Sequence, residues 1–241
     1  MIYYGSMRPE SDENFICLAH RGASGYEPEN TLRSFSKALE LGARWIEFDL
    51  RLVEDELVVF HDRTLSRRAS VSGVVEHQKL STLRTLDVGK GEHIPLFSEV
   101  LSLIRGAARA QVELKGHGTG EKTAHYLNNL LSMGWAPDTF LISSFDHDEI
   151  LEFIKHAPTI PVALLLYGYP LHAIPMAQAI KAYSVHLHLD TVTPRRVSTL
   201  HEAGFKVFVY TVNDPADIAA MRSIGVDGVF SDFPDRVLNY G

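Results

Sequence analysis

Short apolar runs alternate with longer amphipathic stretches along most of the chain. Runs at 15–19, 44–50, 109–114, 139–143, 161–165, 183–189, 206–210 and 228–230 have the length and composition of strands. Between most of them, the segments 31–41, 97–105, 121–133, 146–156, 194–203 and 215–224 carry apolar residues at helical spacing. In the first of these, Leu32, Phe35 and Leu39 share a face, and Gly42 stands where the helix should stop. Pro194 and Pro215 suit first-turn positions. Such alternation predicts a parallel sheet with crossover helices. Eight repeats favour an α/β fold of the closed (β/α)8, or TIM-barrel, type over an open doubly wound sheet. No G-x-G-x-x-G follows the first run, which also disfavours a dinucleotide fold.

One segment breaks the rhythm. Residues 53–95 are too long for a simple connection. They open with a hairpin strand at 56–60 that ends in His61-Asp62. We read residues 1–241 as a single barrel domain, with 53–95 inserted at its mouth as a lid or substrate wall.

The bulk numbers narrow the partners. The chain has 241 residues, 45% hydrophobic and 22% charged, as in an ordinary water-soluble domain. A net charge of −7 without a basic face argues against nucleic acid. No apolar stretch approaches the roughly 20 residues that span a bilayer, so no stable membrane insertion is expected. The lone cysteine, Cys17, cannot form an intrachain disulfide. Residues 1–14 are polar, lack the apolar core of a secretion signal, and read as a frayed tail. A cytoplasmic protein, monomer or homodimer, is the expectation.

In a barrel of this type, functional residues sit at the C-terminal ends of the strands. The first run ends in His20-Arg21-Gly22, a titratable base, a permanent cation and a glycine in one loop, suited to a phosphate. Glu47 and Asp49 lie two apart in the second run and share a face, while Ile46, Phe48 and Leu50 take the other. With helices outside, the carboxylates face the interior. Glu113 repeats the arrangement in the third run. Three inward carboxylates repel unless a proton or cation lies among them, and a hard divalent ion such as Mg²⁺ or Ca²⁺ fits oxygen ligands. The bland alternative is a set of rim salt bridges to Arg44, Arg51 or Lys115.

His20 and His61 are the candidate acid and base. Asp62 is placed to orient His61. Arg21 offers a planar fork for phosphate oxygens, and Lys115 a second, more mobile cation. Asn30 is expected to cap the first helix. Glu29 is open between a helix-dipole partner and a site residue. His186 is expected inside the barrel, and whether His188 reaches the mouth is open. Phe145, Tyr210 and Phe233 lie near strand ends, where they either contact a substrate or pack in the core.

Taken together, these pieces resemble the glycerophosphodiester phosphodiesterase family. The matching segments are His20-Arg21-Gly22 with Pro28-Glu29-Asn30-Thr31, Glu47-Phe48-Asp49, Val59-Phe60-His61-Asp62, Glu113-Leu114-Lys115, Thr211-Val212-Asn213, and Val226-Asp227-Gly228-Val229 through Asp232-Phe233-Pro234. The resemblance implies a barrel with a small insertion after the second strand and a divalent metal, Mg²⁺ or Ca²⁺, on Glu47, Asp49 and Glu113. It implies hydrolysis of small glycerophosphodiesters, such as glycerophosphocholine or glycerophosphoethanolamine, to sn-glycerol 3-phosphate and an alcohol. His20 and His61 would be the acid–base pair, with Arg21, Lys115, Phe145 and Tyr210 contacting substrate. Tyr210 replaces the family's usual tryptophan, which bears on headgroup preference. The turn 53–56 lacks the family's glycine. Asn213 and Asp232 fit the pattern without an assigned role. Competing readings are a lysophospholipase D-type hydrolase with an apolar groove in the insertion, a catalytically silent phosphate-binding barrel, and a metal-dependent sugar isomerase.

Overall fold

Side chains two apart on a strand face the same way, and this parity decides what the sheet encloses. The computed structural model describes residues 15–239, so the expected N-terminal tail lies outside the described residues. Its strands are β1 (Ile16–Ala19), β2 (Trp45–Val53), β3 (Glu56–Val59), β4 (Arg109–Leu114), β5 (Phe140–Ser144), β6 (Val162–Leu166), β7 (Ser184–His188), β8 (Lys206–Tyr210) and β9 (Gly228–Ser231). All pair in parallel except β3, which runs antiparallel along β2. Pairing of β1 with both β9 and β2 closes the sheet into an eight-stranded barrel, with β3 as an added flap.

The helices are α1 (Leu32–Glu40), α2 (Leu80–Leu83), α3 (Phe97–Ile104), α4 (Thr119–Ser132), α5 (His147–His156), α6 (Ala173–Ala179), α7 (Pro194–Glu202), α8 (Pro215–Ser223) and α9 (Pro234–Leu238). They cover the outward face of the strands. Ile46, Phe48 and Leu50 of β2 join Phe35, Ala38 and Phe97 in one apolar layer. Val185, Leu187, Val207 and Val209 meet Val197, Leu200 and Ile218 in its continuation. None of the described helices is long and apolar enough to cross a membrane.

The interior is unusual for such a barrel. One layer is apolar, built from Leu18, Trp45, Leu141, Ala163, Phe208 and Phe230. Around it lie Glu47, Asp49, Gln111, Ser143, Ser184 and His186, all buried. Gln111 Nε2 donates to Ser143 Oγ at 2.7 Å, and Ser184 Oγ lies 3.0 Å from His186 Nε2. Branched apolar side chains normally fill this space.

Between β2 and β3 the chain turns through Glu54 and Asp55, both at positive φ (48° and 71°). That is the mirror-image two-residue turn of tight hairpins, made here without glycine. Residues beyond β3 form their own small core, with Phe60, Leu65, Val75, Leu83, Val88 and Ile94 buried together. The apolar groove that the competing lysophospholipase reading places in this segment is not formed by these residues, whose apolar side chains are spent on one another.

His186 carries a pH signature. Burial holds its pKa down to about 3. The unfolded chain binds a proton there below about pH 6.5, and the folded chain does not until about pH 3. Its contribution is thus present above pH 6.5 and lost as pH falls, at up to about 1.4 kcal/mol per pH unit. Urea unfolding between pH 4 and 7 should show a shallower acid slope for His186→Gln than for the unaltered protein; equal slopes refute the assignment.

Candidate active site

The loop after β1 is shaped by backbone constraints before chemistry enters. Arg21 and Asn30 both sit in the left-handed region, at φ 54° and 57°. Gly22 follows at φ 82°, and a Cβ there would lie 2.5 Å from Ser34 Oγ. Ser34 Oγ donates to the Arg21 carbonyl at 2.9 Å, and Thr31 Oγ1 accepts from Ser34 N at 3.1 Å. The cap of α1 is therefore Thr31, which corrects the expectation for Asn30. Its left-handed backbone takes Asn30 out of the cap position. The Asn30 amide instead donates to Asp49 Oδ2 at 2.8 Å.

Glu47, Asp49 and Glu113 converge as their strand parity requires. One oxygen from each lies within 4.8 Å of the others. Asp49 is fully buried and Glu47 nearly so. Arg21 N donates to Glu47 Oε2 at 2.7 Å, and Arg21 Nε lies 3.4 Å from Asp49 Oδ2. Lys115 Nζ lies 3.2 Å from Asp49 Oδ1 and pairs closely with Glu113 Oε1. The Lys115 side chain is only 13% exposed, so it is a held cation rather than a mobile one. Of the rim partners considered, Lys115 engages the cluster; Arg51 instead binds the His61 carbonyl and Glu76.

The charges are unequal. Burial, then the neighbouring Asp49, pushes Glu47 well above the ordinary carboxyl range. Burial, opposed by Lys115 but reinforced by Asp49, raises Glu113 to about 7. Burial works against ionised Asp49 too, but Lys115 and Arg21 more than offset it and hold its pKa low. Protons thus balance part of this acid cluster. Asp49 Oδ1 accepts no hydrogen bond of normal geometry despite its burial. Three carboxylates from two adjacent strands, with Asp49 Oδ1 approached by the Lys115 ammonium but outside hydrogen-bond geometry, fit a hard divalent cation.

The two histidines share one design. His20 Nδ1 lies 2.6 Å from Asp232 Oδ1, and His61 Nδ1 lies 2.7 Å from Asp62 Oδ1. Burial opposes ionisation of each aspartate. Hydrogen bonds from His20 to Asp232, and from Arg67 and His61 to Asp62, nevertheless lower both to about 2. An ionised carboxylate only accepts, so each Nδ1 carries the hydrogen and each Nε2 is left for other work. Asn213 anchors the first pair, donating to Asp232 Oδ2 at 2.7 Å and accepting from Asp232 N at 2.8 Å. Arg67 anchors the second, donating from Nε and Nη2 to Asp62 at 2.5 and 2.9 Å. Arg67 also reaches Glu29, which Arg21 and Arg68 grip as well. Glu29 is thus the hub of an arginine cluster and not a helix-dipole partner.

His20, Glu47, Glu113, Phe145 and Tyr210 line one small cavity, floored by Gln111, Ser143, His186 and Phe230. Phe145 and Tyr210 meet edge to face at 6.0 Å, and Lys115 Nζ lies 5.8 Å over the Phe145 ring. His188 does reach the mouth, where its ring lies 5.4 Å from Tyr210 and 5.1 Å from Tyr167. Phe233 instead packs on Tyr26 at 5.2 Å and under Arg236.

This geometry defines a class: a (β/α)8 barrel with an acid-rich, cation-flanked pocket and two carboxylate-held histidines at its C-terminal mouth. Residues 20–236 match the glycerophosphoryl diester phosphodiesterase family, and the chain belongs to it. A glycerophosphodiester phosphodiesterase of Caldanaerobacter subterraneus subsp. tengcongensis is 33% identical, over 93% of this chain and 96% of that protein. One from Bacillus altitudinis is also 33% identical, over 92% and 96%. The solved structure of an Oleispira antarctica phosphodiesterase in complex with the product sn-glycerol-3-phosphate superposes with a TM-score of 0.87 at 30% identity. It covers 93% of this chain and 95% of that one.

If the aspartates set the histidine tautomers, removing the ionised acceptor should leave binding and hurt turnover. Asp232→Asn should lower kcat about 10²-fold or more with little change in KM. Arg67→Ala should give a smaller loss with a shifted pH–rate profile. Unchanged steady-state kinetics in both variants would sink this reading.

Proposed function

We propose that the chain hydrolyses small glycerophosphodiesters, such as glycerophosphocholine and glycerophosphoethanolamine, to sn-glycerol 3-phosphate and an alcohol. The observation that carries this reading is the pair of aspartate-held histidines beside the buried Glu47–Asp49–Glu113 cluster. Arg21 and Lys115 supply fixed positive charge for the phosphate, and Phe145 and Tyr210 form a flat wall for the rest of the substrate. Glu47, Asp49 and Glu113 would hold a Mg²⁺ or Ca²⁺, which when bound would supply Lewis-acid charge for the phosphoryl oxygens.

His61 suits the base. Burial, with Lys115 and Arg21, lowers its pKa, so it is neutral near pH 7 with Nε2 free to accept a proton. It deprotonates the attacking oxygen. His20, entering the step with a second proton taken from solvent on Nε2, donates it to the leaving alkoxide, which leaves poorly without a proton. Both rings return to their starting state by proton exchange with solvent.

His20→Ala and His61→Ala should each lower kcat by about 10²–10⁴-fold while circular dichroism stays native. EDTA should abolish turnover, and added Mg²⁺ or Ca²⁺ should restore it. Near-normal turnover in either variant, or EDTA-insensitive activity, contradicts the mechanism.

A second reading, a lysophospholipase D-type hydrolase, draws on the apolar surface of the β5 and β6 loops. Tyr167, Leu171 and Phe145 are all exposed there. The comparison to make is kcat/KM on glycerophosphocholine against lysophosphatidylcholine. We expect the soluble diester to win; preference for the lysolipid would move the substrate class to lysophospholipids.

A further inference from the structure

On the outer surface of the barrel, α4 and α5 lie side by side. Asn128 Nδ2 donates to the His156 carbonyl at 2.8 Å, and Glu149 accepts from Gly118 N and Gly120 N at 2.9 and 2.7 Å. Each helix carries the same spacing, Glu121-x-x-x-His125 on α4 and Glu152-x-x-x-His156 on α5. Residues four apart share a helix face, so each pair projects together.

The pairs converge between the helices. His125 Nε2 and His156 Nε2 lie 3.6 and 4.0 Å from the same oxygen, Glu121 Oε1. His156 Nε2 is also 3.9 Å from Glu152 Oε2, and the imidazole centroids are 4.9 Å apart. One donor atom from each of Glu121, His125 and His156 falls within 4.8 Å of the other two. These separations are too long for hydrogen bonds. They are close to the roughly 3.4 Å between ligands of a tetrahedral ion with bonds near 2.1 Å.

We propose that this cluster is a zinc-class metal site, separate from the barrel mouth. Glu121, His125 and His156 are its protein ligands. Glu152, which now also holds Lys155 Nζ at 3.2 Å, or a water completes the shell. The donor set decides the class of ion. The mouth offers only carboxylate oxygens and suits a hard cation; here two imidazoles with a carboxylate suit Zn²⁺ and its first-row neighbours. A metal there clips α4 to α5 and stabilises the folded chain through binding. The inference does not rest on the proposed reaction.

The test is equilibrium dialysis of the full-length protein, freed of metal, against ZnCl₂, with His125→Ala and His156→Ala alongside. Zinc at the mouth is common to all three proteins, so the difference reports the helix site. The unaltered protein should hold one more zinc equivalent, with a micromolar Kd, than either variant. Its thermal midpoint should rise further on zinc addition. Both variants should keep full phosphodiester turnover with Mg²⁺ or Ca²⁺, which also verifies folding. Equal zinc stoichiometry in all three proteins, or a helix-site Kd weaker than about 1 mM, overturns the proposal.

Discussion

The constraint on which the site depends is the crowding of Glu47, Asp49 and Glu113 inside a low-dielectric barrel. Two full charges 4.8 Å apart repel by about 3–4 kcal/mol at an effective dielectric of 20, and three such pairs meet here. The fold answers with cations and donors from three places. Arg21 comes from the loop after β1, Lys115 from the end of β4, and Asn30 from the entry to α1. The left-handed turns at Arg21 and Asn30 are what bring those groups onto Asp49. The compensation is incomplete. Three carboxylates face two fixed cations, so Glu47 and Glu113 hold onto protons beyond their ordinary range. A divalent ion that displaced those protons would meet three full carboxylate charges, and that exchange is the electrostatic basis for its binding.

The histidines belong to the same economy of charge but are organised separately. His61-Asp62 is a local pair, braced by Arg51 on its backbone carbonyl and by Arg67 on its carboxylate. His20–Asp232 joins the first strand to the last, 212 positions apart, and closes the barrel as it orients the ring. Arg67 ties the His61 side to Glu29, and Glu29 ties it to Arg21. The segment after β3 is therefore connected to the carboxylate cluster through ion pairs, while its apolar residues form a core of their own.

The sequence was most legible where one periodicity ruled. The strand β8 falls on residues 206–210, where a near-continuous hydrophobic block marks a buried parallel strand, and β4 falls on 109–114, where Ala110, Val112 and Leu114 alternate with polar residues. Parity alone put Glu47, Asp49 and Glu113 inside. β2 runs on to Val53 because β3 pairs with its far end, a tertiary fact invisible in the run 44–50. The helix α6 leaves little trace in the sequence: it has seven residues with Pro175 inside and no side-chain cap. Asn30 looked like a cap because Asn commonly is one; Thr31 beside it is equally good, and only the left-handed backbone at Asn30 decides between them. Asp232 and Asn213 stood in recognisable motifs without a role, since no local signal ties residue 232 to residue 20. Glu29 was ambiguous for the same reason, its partners Arg67 and Arg68 lying in the irregular segment.

Buried polar groups in a folded chain are ordinarily paired, and two of the exceptions meet at the acid cluster. Gln111 with Ser143, and Ser184 with His186, settle their hydrogen bonds within the barrel floor. Nearer the mouth, Asp49 Oδ1 and Arg21 Nε remain outside hydrogen-bond geometry. A core selected only for stability would fill this space with branched apolar side chains, as the layer of Leu18, Leu141 and Phe208 does. Placing incompletely paired charge where stability would exclude it is expected when the missing partners arrive with a ligand. The acid cluster holds protons where a cation would stand, and Arg21 Nε has no acceptor in hydrogen-bond geometry. On the proposed function, a phosphodiester bound with a divalent ion would supply both the cation and the acceptor in one event.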